Sequence, residues 1–169
     1  IKYIRLDIEK RLPMGEKRNT CVKHASHDIL LHMDDDDYYP PSSLIARVKS
    51  YLKYKNKGIE CLGCSSTFTY DILTGDSSLC GMGNLFFGES SLIYTKKFWK
   101  ERNFLNESRT CEYYYFIKNR QHKCMYIPSQ FVTIALSHNK NITGTLRKAN
   151  KSQTIEQSVY ELFDEKTRF

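Results

Sequence analysis

Four consecutive aspartates, Asp34 to Asp37, follow directly after the apolar run ILLHM (residues 29–33) in a chain that is basic overall. Neighbouring carboxylates repel one another, and a buried carboxylate without a partner is costly. The run is therefore either a solvated acidic loop, as runs of charge usually are, or a place where a cation binds. Carboxylate oxygens suit Mg²⁺ or Mn²⁺, which keep open positions for phosphate oxygens. The spacing does not fit an EF-hand calcium loop, because the required glycine and distal glutamate are missing.

The elements around the aspartates predict that they lie where a strand ends. DILLHM, residues 28–33, is a short apolar run that is typical of a buried strand. A short helix is predicted after Gly15, and Pro40 and Pro41 favour the entry to a second helix. In open α/β sheets, ligands bind in the crevice at the carboxyl ends of the strands. We therefore expect the aspartates to line such a crevice.

The helix after Pro41 is predicted from residues that recur at helical spacing. Its apolar residues are expected to face the core: Leu44, Ile45, Val48 and Leu52. Its basic residues are expected to face water: Arg47, Lys49 and Lys53.

Strands and helices are predicted to alternate along the rest of the chain. Strands are predicted over residues 1–8, 59–72, 77–80, 84–94 and 124–138, the last one broken at Pro128. Helices are predicted over residues 96–102 and 109–121 and, near the end, over 155–163. This alternation predicts an α/β layered fold.

The composition predicts a single globular domain over residues 1–169. Hydrophobic residues make up 40% of the chain and charged residues 27%. The net charge of +7 favours anionic partners, but no dense stripe of Lys and Arg is present, so nucleic acid is not an expected partner.

The sequence also predicts a cytoplasmic protein. No apolar stretch is long enough to span a bilayer, and no secretory leader is seen. The six cysteines are therefore expected to be reduced thiols. Cys61 and Cys64 form a lone CxxC without a second ligand pair, so buried strand cysteines are favoured over a zinc site.

Several segments, taken in order, resemble the nucleotide-sugar-dependent glycosyltransferases of the GT-A fold, in particular the family 2-like group. The first is GEKRN (15–19) followed by DILLHMDDDD (28–37), which is similar to a helix with an Arg-Asn pair preceding the strand that ends in the DxD motif. Further segments resemble the family's acceptor-side, acidic and late-strand elements: GNLFFGESSLIYTKKFW (83–99), RTCEYYYF (109–116) and IALSHNKNIT (134–143). The resemblance covers most of residues 3–145 and implies a three-layer α/β/α domain with a mixed, mostly parallel central sheet.

The resemblance also implies a metal site and a donor site. Asp34 and Asp36 would be the two acidic positions of the DxD motif, with Asp36 binding Mn²⁺ or Mg²⁺ directly and His138 completing the metal site. Asp34 would face the donor's ribose or the water shell of the metal. In a shifted register, Asp35 or Asp37 would take these positions, because the four residues are identical.

Two basic residues and one carboxylate receive further roles from the resemblance. Arg18, with Lys17 nearby, would contact the base or the diphosphate of the donor; for Lys17 a solvated helix face is the competing interpretation. Glu112 would be the general base of an inverting transfer, taking the proton from the acceptor hydroxyl. The usual Glu-Asp pair is Glu112-Tyr113 here, so the aspartate that often acts as the base is absent. Glu89 is a second carboxylate expected near the acceptor.

The resemblance implies an enzyme that moves a sugar (hexosyl) group from a nucleoside-diphosphate sugar to an acceptor hydroxyl. The expected donor is a UDP-sugar, and the acceptor is a glycan, a protein or a small molecule. Family members begin with a strand, a helix and a second strand that hold much of the nucleotide, whereas this sequence corresponds to the family from about its third strand. Two alternatives stay open. One is a metal-dependent nucleotidyl or phosphoryl transferase, and the other is a non-catalytic module that binds carbohydrate or nucleotide.

Overall fold

The computed structural model describes residues 3–6, 11–81, 87–138, 141 and 153–154. Its helices are α1 (Met14–His24), α2 (Ser43–Tyr54), α3 (Lys96–Glu101) and α4 (Glu112–Ile117). Its strands are β1 (Ile29–Leu31), β2 (Cys61–Gly63), β3 (Ser66–Asp71), β4 (Ser77–Gly81), β5 (Ile93–Thr95), β6 (Cys124–Tyr126), β7 (Ile134–Ser137) and β8 (Gln153–Thr154). Single turns of 3₁₀ helix cover Lys55–Lys57, Glu89–Ser91, Gln121–Lys123 and Ser129–Phe131. The chain is therefore of the mixed α/β class.

The strands form two sheets of four strands each. The first sheet has the order β1-β5-β2-β6, in which β5 runs antiparallel to both neighbours and β2 runs parallel to β6. The second sheet has the order β7-β3-β4-β8, in which only the β3–β7 pair is parallel. Each sheet therefore has one parallel and two antiparallel pairs, where the resemblance led us to expect one central, mostly parallel sheet.

Helices pack on both faces of the first sheet, because apolar side chains alternate along its strands. One buried cluster joins Cys61 of β2 and Tyr94 of β5 to α1, α3 and α4. The cluster on the opposite face joins Leu62 and Ile93, the next residues along these strands, to Tyr51 of α2. The first sheet is thus buried on both sides.

The acidic loop that follows β1 connects the two sheets. The backbone of Tyr38 pairs with that of Ile134 in β7, through N–H···O bonds of 2.9 Å in both directions. The backbone N–H of Leu136 also donates to Asp37 Oδ1 at 3.3 Å. The aspartates therefore lie where the ends of β1 and β7 meet.

The predicted orientation of α2 is confirmed only in part: Val48 packs against the core, and Lys49 and Lys53 are exposed. It is wrong for Leu44, Ile45 and Leu52, which are exposed, and for Arg47, which is fully buried. The guanidinium of Arg47 donates to the carbonyl oxygen of His32 at 2.7 Å, just beyond the end of β1. An unpaired buried carbonyl is costly, so satisfying it outweighs burial of a few more methyl groups.

Most of the other predicted elements are present with changed bounds. Strands or helices overlap the segments 28–33, 59–72, 77–80, 84–94, 96–102, 109–121 and 124–138, and the last contains two strands separated at Pro128. The strand predicted over residues 1–8 is wrong where it can be compared, because residues 3–6 belong to no strand. The final helix, 155–163, lies outside the described residues. None of the described helices has the length and apolar character needed to cross a membrane.

Candidate active site

Helix α1 is held against the segment that follows α3, and this contact fixes the position of Arg18. The side chain of Asn19 accepts from the Trp99 indole at 2.9 Å and from the backbone N–H of Phe104 at 3.1 Å. Its amide nitrogen donates to the Phe104 carbonyl at 2.8 Å. A Cβ added at Gly15 would lie 1.9 Å from the carbonyl oxygen of Leu105, so the close approach of the two segments requires glycine there.

Arg18 is buried and lies between two carboxylates. Its Nη1 and Nη2 atoms donate to the two carboxylate oxygens of Asp34, at 3.2 and 3.4 Å. Its Nε is 4.0 Å from Oε1 of Glu112 and has no hydrogen-bond partner among the described residues. Burial opposes the charged guanidinium, but Asp34 and Glu112 more than offset this effect and raise the pKa of Arg18. Arg18 therefore stays charged and ties the end of β1 to α4.

His32 and Tyr39 form the buried wall beside Arg18. The Nδ1 atom of His32 is 3.0 Å from Arg18 Nη1, and its Nε2 is 2.9 Å from the Tyr94 hydroxyl. Burial and the nearby Arg18 lower the pKa of His32 well below its ordinary value, so the ring is neutral. The Tyr39 hydroxyl accepts from the backbone N–H of Asp34 at 2.7 Å, and burial raises the pKa of Tyr39 to about 12. This wall holds Asp34 from its backbone side.

Glu112 and Glu89 form a pair of carboxyl groups. Glu112 is buried at the first turn of α4, and the residue before it, Cys111, has a positive φ of 54°. Residues other than glycine rarely adopt this left-handed backbone conformation, and those that do are often found at functional sites. Burial, and next the charge of Glu112, raise the pKa of Glu89 to about 8. At neutral pH Glu89 is therefore protonated.

Asp36 and His138 are brought together by Asn141. The Asn141 amide nitrogen is 3.2 Å from Asp36 Oδ2 and 3.1 Å from His138 Nε2. The Asn141 side-chain oxygen accepts from the backbone N–H of His138 at 2.5 Å. Asp36 is exposed, so this second group is open to solvent.

The structure thus joins most of the predicted site residues in two groups. Arg18, Asp34 and Glu112 are in contact, and Asp36 and His138 share a neighbour. Asp35 is exposed, and the half-buried Lys17 side chain makes no ion pair or hydrogen bond within the described part of the chain. No three His, Cys, Asp or Glu side chains lie close enough to hold a metal ion within that same part.

Sequence reasoning missed three members of these groups: His32, Tyr39 and Asn141. His32 carried a signal, since it is a titratable residue inside an otherwise apolar strand run. Asn141 carried none, because its link to Asp36 spans 105 residues.

Models of known protein families and the curated proteins give no significant match to this sequence. Two pairs of side chains in contrasting surroundings provide the basis for a functional proposal. Glu89 and Glu112 are enclosed beside Arg18, whereas Asp36, near His138, is open to solvent.

Proposed function

We propose that this chain is a metal-dependent glycosyltransferase domain that transfers a sugar from a nucleoside-diphosphate sugar to an acceptor hydroxyl. The main observation behind this proposal is a contrast between two pairs of side chains. Glu89 and Glu112 are enclosed beside Arg18, whereas Asp36 and His138 lie at the adjacent strand end in a group that is open to solvent. A carboxyl group whose pKa is raised by burial, as that of Glu89 is, is typical of acid–base catalysis. Helices on both faces of the first sheet support the three-layer arrangement of the GT-A fold.

The arrangement around Asn141 fits a divalent cation. The Asn141 amide nitrogen lies within hydrogen-bond distance of both Asp36 Oδ2 and His138 Nε2. A carboxylate oxygen and an imidazole nitrogen are ligand types that suit Mn²⁺. We therefore assign Asp36 and His138 to this ion, with Asp34 turned away toward Arg18. When bound, the ion would supply charge that offsets the charge developing on a leaving diphosphate.

The enclosed pair supplies the base. The carboxylate of Glu112 takes the proton of the acceptor hydroxyl as that oxygen forms a bond to the anomeric carbon. The bond from the anomeric carbon to the diphosphate breaks, and its electron pair leaves with the phosphate oxygen. Arg18 stabilises the ionised form of Glu112, while Glu89 retains its own proton. One displacement of this kind inverts the anomeric centre.

Calorimetry tests the donor and metal assignments. We expect UDP or GDP to bind in the presence of Mn²⁺, and Asp36→Ala and His138→Ala to abolish the metal-dependent heat. Glu107→Ala, which removes an exposed carboxylate elsewhere, is the matched control and should bind as the unaltered chain does. Binding that persists in a chelator or in Asp36→Ala would contradict the metal assignment.

Turnover assays test the reaction class. With a UDP-sugar and an acceptor hydroxyl, we expect release of UDP and a product in which the sugar configuration is inverted. Glu112→Gln should bind the nucleotide normally but lose about 10²–10⁴-fold in rate, which is the usual contribution of a general base. Transfer of a nucleotidyl group, or release of UMP, would instead support a nucleotidyl or phosphoryl transferase.

A further inference from the structure

Two cysteines that are distant in the sequence face each other across neighbouring strands. Cys61 of β2 and Cys124 of β6 are directly paired in the parallel ladder, so their side chains lie on the same face of the sheet. The two thiols are close enough to influence each other's pKa, and the Cys124 thiol donates to the Arg120 carbonyl oxygen at 3.3 Å. Neighbouring strands are about 5 Å apart, which lies within the range of roughly 4–7 Å between Cα atoms that disulfides join. A bond between these sulfurs therefore needs little movement of the backbone.

The surroundings make the two thiols unequal. Cys61 is completely buried, and burial raises its pKa well above the ordinary value. Cys124 is half-buried on β6, at the end of the sheet order. The neighbouring Cys61 thiol and the positive charges of Arg120 and Lys123 lower the pKa of Cys124. Cys124 is thus suited to react first, because the thiolate is the nucleophile.

The CxxC spacing does not pair Cys61 with Cys64. Cys64 belongs to the buried cluster on the opposite face of the sheet from Cys61. Burial raises the pKa of Cys64 to about 12, and its backbone N–H is bonded to Ser91. Cys64 is therefore an internal reference: a buried cysteine three residues from Cys61 that has no cysteine across a neighbouring strand among the described residues and whose pKa stays raised although Arg47 is nearby.

We propose that Cys124 and Cys61 form a peroxide-reactive dithiol site, in which Cys124 is oxidised first and Cys61 then closes a disulfide between β2 and β6. The site takes small hydroperoxides such as hydrogen peroxide. It is independent of the proposed transferase activity.

The chemistry balances in two steps. The Cys124 thiolate attacks one peroxide oxygen, the O–O bond breaks, and the departing hydroxide takes a proton to become water. This leaves a sulfenic acid on Cys124. The Cys61 sulfur then attacks the Cys124 sulfur, the S–S bond forms and the S–O bond breaks, and the hydroxide leaves as water with the proton of Cys61. Two thiols lose two electrons, and one peroxide becomes two waters.

Peptide mapping of the unaltered chain tests the proposal. The folded protein is treated with hydrogen peroxide, free thiols are then alkylated in denaturant, and the chain is digested without reductant. We expect a linked peptide that contains Cys61 and Cys124, formed while Cys64 stays alkylatable, and lost after treatment with dithiothreitol. Modification of the exposed Cys21 or Cys111 with Cys124 unchanged would overturn the proposal. So would oxidation of Cys124 with Cys61 still free.

Variants identify the order of the steps. Cys124→Ser should abolish the linked peptide, and Cys61→Ala should leave a sulfenic acid on Cys124 that dimedone traps. Cys64→Ala is the matched control and should still form the link. If Cys61→Ala folds and shows no dimedone adduct on Cys124 while the unaltered chain forms the link, Cys124 is not the first site of oxidation. If a variant does not fold, the peptide mapping of the unaltered chain decides whether the proposal holds.

Discussion

The raised pKa of Glu89 predicts that the folded chain loses stability as the pH rises through neutrality. The pKa of Glu89 is raised from 4.5 to about 8 by burial and by Glu112. Below about pH 4.5 both the folded and the unfolded chain hold this proton, so the shift has no effect. Between about pH 4.5 and 8 the folded chain holds a proton that the unfolded chain has released. The free energy of unfolding therefore falls by about 1.4 kcal/mol per pH unit across this window.

The full window corresponds to roughly 5 kcal/mol, which is an upper bound because water reaches part of the Glu89 side chain. Glu89→Gln replaces the protonated carboxyl by an amide that does not titrate. We therefore expect the variant to match the unaltered chain near pH 5 and to exceed its stability by about 2–4 kcal/mol near pH 8.5.

Urea unfolding at a series of pH values measures this difference, with the fluorescence of Trp99, the single tryptophan, as the probe. Glu107→Gln, which alters an exposed carboxylate, is the control and should follow the unaltered chain at every pH. The reasoning is refuted if Glu89→Gln retains the same decline of stability with pH as the unaltered chain. It is also refuted if that chain is equally stable at pH 5 and 8.5.

Substitutions at three further positions test contacts that position the site, each by urea unfolding. Gly15→Ala should destabilise the chain by about 2 kcal/mol despite the better helix propensity of alanine, because its Cβ would clash with the Leu105 carbonyl. Asn19→Ala should cost about 2–4 kcal/mol and change the Trp99 emission, because the indole N–H and a backbone N–H lose their buried acceptor. Arg47→Ala should cost about 3 kcal/mol and Arg47→Met about 1–2 kcal/mol. Methionine refills the space of the buried side chain but leaves the His32 carbonyl without its donor.

Two exposed neighbours serve as controls for these substitutions. Asn103→Ala lies close to the Asn19 contacts, and Lys49→Met lies on the same helix as Arg47; each should change stability by less than about 0.5 kcal/mol. An Arg47→Met variant as unstable as Arg47→Ala would show that the guanidinium itself is required. Unchanged Trp99 emission in Asn19→Ala would contradict the described contact.

The position of the acidic loop could be predicted from the sequence, but the orientation of α2 only in part. A short apolar run ended by charge is a local pattern, and Asp34 indeed lies just past β1. The face that α2 buries depends instead on a carbonyl group at the end of another strand, which Arg47 satisfies. The spacing of apolar residues contains no information about the hydrogen bond that this carbonyl group needs. The apolar stripe therefore predicted the wrong environment for Arg47.

The same distinction applies to the site. The resemblance assigned Arg18 and Asp34 to one donor site, but the ion pair between them was not predicted. The raised pKa of Glu89 depends on how deeply its carboxyl group is enclosed, and a sequence does not reveal depth. The Asn141 link likewise depends on the meeting of β1 and β7, which belong to different sheets.

The backbone pair between Tyr38 and Ile134 makes the acidic loop part of the second sheet as well as the first. The loop and β7 are joined by backbone hydrogen bonds, so the order of one is coupled to the order of the other. A ligand that restrains the loop therefore also restrains β7. Amide hydrogens of β7 would then exchange more slowly with solvent when the loop is occupied, although they lie outside the binding groups themselves. The hairpin of β3 and β4, joined to β7 through β3, is the next element along this path.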